Sequence, residues 1–210
     1  IKSVFPYVRC KTLPPVVPSI FRKPIEPKKL LVNIITSDQR IANRITKTFY
    51  WKYPMYKFIS FVDLRNRPRE EFAEKLREGA ITIWVDNDTP FGHSAVEAIA
   101  CDNILIGKVP EMVPEWMIDE DGGLNDCGIW TYDINVIPDL LANVVGAWMQ
   151  DMVPEQLTNA MNEVNAKYTV DKWEENVDGV MSTIINEQIK SFEQIKNSIK
   201  QKITNETKED

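Results

Sequence analysis

The hydrophobic and polar positions of this chain fall into three regimes. From Leu30 to about Gln150, short apolar runs alternate with segments whose apolar residues recur every three or four positions. The runs LLVNIIT (30–36), YKFISFVDL (56–64), ITIWVDN (81–87), NILIGKV (103–109) and GIWTY (128–132) are nearly continuous and rich in β-branched or aromatic residues. Strands buried on both faces have this pattern. Between them, SDQRIANRITKTFYW opens with Ser37 as a cap and repeats apolar residues at Ile41, Ile45 and Phe49. RPREEFAEKLREG starts near Pro68 and stops at Gly79, and NVIPDLLANVVGAWMQD supplies a helix after the last strand. The alternation predicts an α/β domain over 30–152: a Rossmann-like open parallel sheet wound by right-handed crossovers.

The flanks differ. Residues 1–29 are crowded with Pro6, Pro14, Pro15, Pro18, Pro24 and Pro27, which deny helix and interrupt sheet pairing, so this stretch reads as an extended linker. Residues 153–210 read as a long polar helical extension with a narrow apolar stripe. In it Met181, Ile185, Phe192, Ile195 and Ile199 follow three- and four-residue steps close to a heptad. The stripe is expected to dock on the parent protein. Self-association as a coiled coil is the alternative, and Gln188 in the seam weighs against it.

Composition narrows the function classes. With 210 residues, 43% hydrophobic and 27% charged, the chain can bury a sizeable core. A net charge of -6 and a pI of about 5.0 leave no global basic field for nucleic acid or an anionic membrane. Cys10, Cys101 and Cys127 are too widely spaced for a disulfide framework, and one histidine argues against zinc, so reduced thiols in a cytoplasmic protein are expected, with no metal and no cofactor. No signal peptide or apolar run of membrane-spanning length is visible. The start without Met, in mid-pattern, is expected to be that of a piece of a longer chain.

The candidate chemistry gathers in DNDTPFGHSAVEAIACDNILIG (86–107), which joins the third strand to the next helix. Ligands of open parallel sheets sit outside the carboxyl ends of strands. Gly92 lets backbone approach a ligand closely, and the N–H groups around His93, Ser94 and Ala95 form a seat for an anion such as a diphosphate. Glu97, one turn into the helix, is placed to accept hydrogen bonds from ribose hydroxyls. Ser94 and Glu97 also satisfy the capping-box spacing, so from the residues alone capping and ligand binding are equally open. Glu115 in VPEW either caps a helix or faces the site, with capping the expectation, and Trp116 and Trp130 read as core rather than sugar platforms. Cys127 has no histidine at any readable spacing to activate it.

PFGHSAVEAIACDNILIG, followed by PEMVPEW and GIWTYDINVIPDLLANVVGAWMQD, resembles the C-terminal, nucleotide-sugar-binding half of GT-B glycosyltransferases of the group 1 (family 4-like) type. The likeness covers roughly residues 60 to 150. It implies retaining transfer of a sugar from a nucleoside diphosphate donor without a tightly bound metal, in partnership with an N-terminal acceptor domain. Glu97 then matches the second of the family's paired glutamates, which binds the ribose, and Phe91, Gly92, His93 and Ser94 match the loop along the donor sugar and phosphates. The catalytic residues stay unassigned.

The chain departs from the pattern in two places. The first glutamate of the pair falls on Thr89, beside Asp88, and the family's Gly-Arg and Lys elements have no clear match, since IITSDQRIANR offers Arg40 and Arg44 without the glycine. Arg65, Arg67 and Lys108 are further cations near predicted strand ends. Two functions follow from the resemblance: the donor-binding half of a glycosyltransferase, inactive alone, or a glycosyltransferase-like scaffold that has lost donor chemistry and assembles through its C-terminal helix.

Overall fold

The computed structural model describes residues 13–86 and 90–206, with side chains through Asn197. Within them the chain divides into a compact unit, Val17–Thr169, and a second unit that holds the residues from Val170 onward. The compact unit is an α/β domain whose five parallel strands are ordered β2-β1-β3-β4-β5. These are β1 (Lys29–Thr36), β2 (Ser60–Asp63), β3 (Gly79–Val85), β4 (Ile104–Lys108) and β5 (Ile129–Thr131). The helices are α1 (Gln39–Lys52), α2 (Arg69–Glu78), α3 (His93–Ala100), α4 (Ile137–Met149) and α5 (Glu155–Lys167). The Rossmann-like parallel sheet expected from the alternating pattern is thus present. A long C-terminal helix, α6 (Val170–Glu206), lies in the second unit.

Every residue of β3 is buried, as its unbroken apolar run requires of a central strand covered on both faces. The chain steps from β1 to β2 in one direction and from β2 to β3 and β4 in the other. Right-handed crossovers therefore place α1 and α2 on opposite faces. α1 packs with α4, and α3 packs with α5. The reversal lies between β1 and β3, which opens a crevice at their carboxyl ends.

Polar groups buried in the sheet hold α2 in place. Asn103 Nδ2 donates to the carbonyls of Leu76 (2.7 Å) and Ala98 (3.1 Å) while its Oδ1 accepts from Thr82 Oγ1 (3.0 Å). Asn33 Nδ2 donates to Lys75 O (3.0 Å), and Lys28 Nζ donates to Leu76 O and Gly79 O. The otherwise orphaned carbonyls at the end of α2 are thereby satisfied. Burial pulls the pKa of Lys28 down to about 8 against the opposing charges of Cys101 and Asp102.

Several boundaries differ from the sequence expectation for identifiable reasons. β2 is shorter than 56–64 because Pro54–Tyr56 forms a 3-10 turn, stacking Tyr56 on Phe49. Asp38, not Ser37, caps α1, its carboxylate accepting from Arg40 N at 2.8 Å. The compact unit takes in part of the Pro-rich stretch, because Phe21 is buried against Phe72 and Val17 N donates to Tyr168 O. It also takes in α5, which buries Leu157, Met161 and Val164. The expected single extension over 153–210 is therefore two helices, broken at Tyr168 and Thr169. Among the described residues no helix is long and apolar enough to cross a membrane.

Candidate functional site

Aromatic side chains pack beside the loop that follows β3. Trp84 at the end of β3, Trp116 in a 3-10 turn and Trp130 on β5 form a ladder with ring centroids 6.0 and 5.9 Å apart. Trp116 is a core residue, as its sequence context suggested, whereas Trp130 is only partly buried against the core. Trp116 Nε1 donates to Phe91 O at 2.6 Å and fixes the loop above it. Gly92 adopts a left-handed conformation (φ 70°), and a Cβ there would lie 2.8 Å from Trp84 Cζ2. Glycine is the residue this close approach and this φ both require.

Gly92 also caps α3, which corrects the expected box built on Ser94. The helix begins at His93, and no side chain caps it. Ala95 N–H is spent on Gly92 O (2.9 Å), whereas the amides of His93 and Ser94 have no acceptor among the described residues. Those two amides and the positive end of the helix dipole make the loop favourable for an anion. Phe91 packs edge-on against Tyr168 (5.2 Å), whose hydroxyl donates to Glu115 Oε1 (3.1 Å). Glu115 thus holds a tyrosine rather than capping its own turn. His93 is exposed beside the Phe91 ring. Partial burial and then the Arg69 charge push its pKa down, favouring the neutral imidazole. Ser94 is half-buried on the second position of α3, and Thr89 and Asp88 lie outside the described residues.

Glu97 does not turn back on its own helix. Its carboxylate, 2% exposed, accepts two hydrogen bonds from Arg69 at the start of α2: Nη1 to Oε2 at 3.0 Å, and Nη2 to Oε1. Burial raises the Glu97 pKa, and the guanidinium opposes that rise. Arg69 itself is half exposed and lies over the Phe21 ring, 4.6 Å from its centroid. The resulting arrangement is a forked charge pair, one end buried and one end in water, spanning the first turns of α2 and α3.

Three other cations at this edge are engaged as well. Arg40 pairs with Asp38, Arg65 with Asp63 and Gln39, and Arg67 with Glu71 and the Asp63 carbonyl. Lys108 ends β4 half-buried and forms no ion pair among the described residues. Cys101 and Cys127 are buried free thiols, and burial pushes the pKa of each up to about 12, which removes them as nucleophiles; Cys10 lies outside the described residues. The structure therefore brings Phe91, Gly92, His93, Ser94 and Glu97 together at one strand end and adds Arg69, Phe21 and Tyr168. Nothing in the local spacing links residue 69 to residue 97. The available signal was an acid in an apolar run, which needs a cation, and a crossover order that puts α2 and α3 on one face.

No protein-family model matches the sequence, and no curated protein matches it. Solved structures do match the fold. The C-terminal domain of a glycosyl transferase group 1 family protein, LpcC, from Francisella tularensis aligns over 72% of this chain and 97% of that one, with 16% identity and a TM-score of 0.51. A GtfA/B complex aligns over 78% of this chain (14% identity, TM-score 0.50), and TarM over 81% (13% identity, TM-score 0.50). This chain spans 38% of the length of each of those two. The chain carries the fold of the C-terminal half of a GT-B, group 1 glycosyltransferase.

Proposed function

We propose that the domain binds the nucleoside diphosphate sugar donor of a retaining glycosyltransferase, and that transfer to an acceptor requires an N-terminal acceptor domain. The observation that carries this reading is the buried Glu97 carboxylate on α3, directly past the Gly92 turn at the carboxyl end of β3. In the bound state Glu97 accepts the ribose hydroxyls, and the amides of His93 and Ser94 face the diphosphate. Arg69, half exposed and anchored at one helix start, turns its guanidinium from the carboxylate to the phosphates, which supplies a cation that the local sequence otherwise lacks. The acceptor enters from that N-terminal domain, because proximity of donor and acceptor contributes much of such a reaction's acceleration. A cytoplasmic setting fits the free thiols.

A second reading is favoured by the same ion pair. In a domain that has lost donor chemistry, Arg69 permanently occupies Glu97, and Arg40, Arg65 and Arg67 remain with their own acids. Calorimetric titration of the chain with uridine, guanosine and adenosine diphosphates separates the two. The donor reading expects at least one to bind and Glu97→Ala to weaken it tenfold or more. If none binds, the scaffold reading stands in its place.

A further inference from the structure

The helix α6 presents an apolar stripe whose spacing is more regular than a heptad. Trp173, Val177, Met181, Ile184, Gln188, Phe192 and Ile195 advance by steps of four, four and three, and Ile199 and Ile203 continue the count in the sequence. This is an eleven-residue repeat, about 3.67 residues per turn, so the stripe stays on one side of a nearly straight helix. Met181, Ile184, Phe192 and Ile195 are between 48% and 72% exposed, and Ile185 and Ile189 widen the face.

The stripe is symmetric about Gln188. Stepping away from it in either direction meets an apolar residue at the same distance: Ile184 with Phe192, Met181 with Ile195, Val177 with Ile199, Trp173 with Ile203. Net charge is opposite in sign on the two sides of the same point. Residues 170–187 carry Asp171, Glu174, Glu175, Asp178 and Glu187 against Lys172, whereas residues 189–206 carry Lys190, Lys196, Lys200 and Lys202 against Glu193 and Glu206. A parallel pair of such helices sets acid on acid and base on base. An antiparallel pair sets the net acidic half of one helix along the net basic half of the other, with Glu174 opposite Lys202, and apolar on apolar along the seam.

We propose that the occupant of this face is a second copy of the chain, paired antiparallel through α6 with the twofold axis beside Gln188. At the axis the Gln188 amide meets its own copy, and an amide is both donor and acceptor, so the pair satisfies itself. The polar layer that argued against a coiled coil in the sequence then sets the register. The contact is isologous and closes at two copies. It does not depend on the donor site.

The test uses the full chain with Cys10→Ser, so that introduced thiols are the only accessible ones. Sedimentation equilibrium is expected to give twice the 24.2 kDa chain mass. Phe192→Glu should weaken association at least tenfold while leaving the near-ultraviolet dichroism of the buried tryptophans unchanged. Met181→Cys and Ile195→Cys chains, mixed and treated with a short bismaleimide, should give the mixed cross-link in preference to either self cross-link. A chain that stays monomeric to about 100 μM, association unaffected by Phe192→Glu, or Met181→Cys cross-linking chiefly to itself would each overturn the proposal.

Discussion

Arg69 and Glu97, 28 positions apart, join the first turns of α2 and α3 through two parallel hydrogen bonds, with the carboxylate buried and the guanidinium half in water. Removing the cation alone leaves a buried carboxylate with no partner, whereas removing both charges does not. Because water screens the exposed end, the loss is smaller than for a fully enclosed pair. Arg69→Ala should cost about 1–3 kcal/mol, and Arg69→Ala with Glu97→Gln should recover most of it. Urea unfolding of the four chains of this cycle measures the coupling, and additive single effects would show the pair to be energetically idle.

The same pair has a pH signature. Burial raises the folded-state pKa of Glu97, so the unfolded chain gives up this proton at lower pH than the folded one. The group's contribution is therefore present in acid and falls as pH rises through the raised value. Glu97→Gln removes that slope. The stability of the Gln variant relative to the native chain should increase from acid to neutral pH, and a difference that shrinks over that range contradicts the assignment.

At the alkaline end two kinds of group oppose each other. Lys28 titrates near 8 in the folded chain against an ordinary 10.5, so between those values the unfolded chain holds more protons and stability rises with pH. Cys101 and Cys127 titrate near 12 against an ordinary 9.0, so above about 9 the folded chain holds more protons and stability falls. Lys28→Met deletes only the rising contribution. Between pH 8 and pH 10 this variant should lose more stability than the native chain, by on the order of 1–2 kcal/mol, as read from urea midpoints.

Gly92 meets both a left-handed φ and the face of Trp84, which is fully buried and has nowhere to move. Gly92→Ala should destabilise the domain by about 1–3 kcal/mol. Thermal unfolding checks the stability, and tryptophan fluorescence should shift as the Trp84–Trp116 contact is displaced. An unchanged melting temperature would show that the loop relaxes freely.

How far the sequence foretold this molecule depends on the range of the interaction that decides each feature. The strands were legible because β1, β3 and β4 are buried on both faces and their apolar runs are continuous. The turn between β3 and α3 was legible because Gly92 marked it. The role of Glu97 was not: the spacing from Ser94 offered a local partner, and the partner came from Arg69, whose position is set by Asn33, Asn103 and Lys28 at the far end of α2. Likewise the break between α5 and α6 follows from Tyr168 being buried against Phe91, a contact that periodicity cannot express.

The proposed function of Glu97 is to serve ribose hydroxyls once Arg69 has turned to the phosphates. It is tested most directly by comparing, in calorimetry, the nucleoside diphosphate that binds the native chain with its 2′,3′-dideoxy counterpart. Loss of the two hydroxyls is expected to weaken binding to the native chain at least tenfold and to make no difference to Glu97→Ala. Equal affinity of the native chain for both ligands, or no affinity for either, would contradict it.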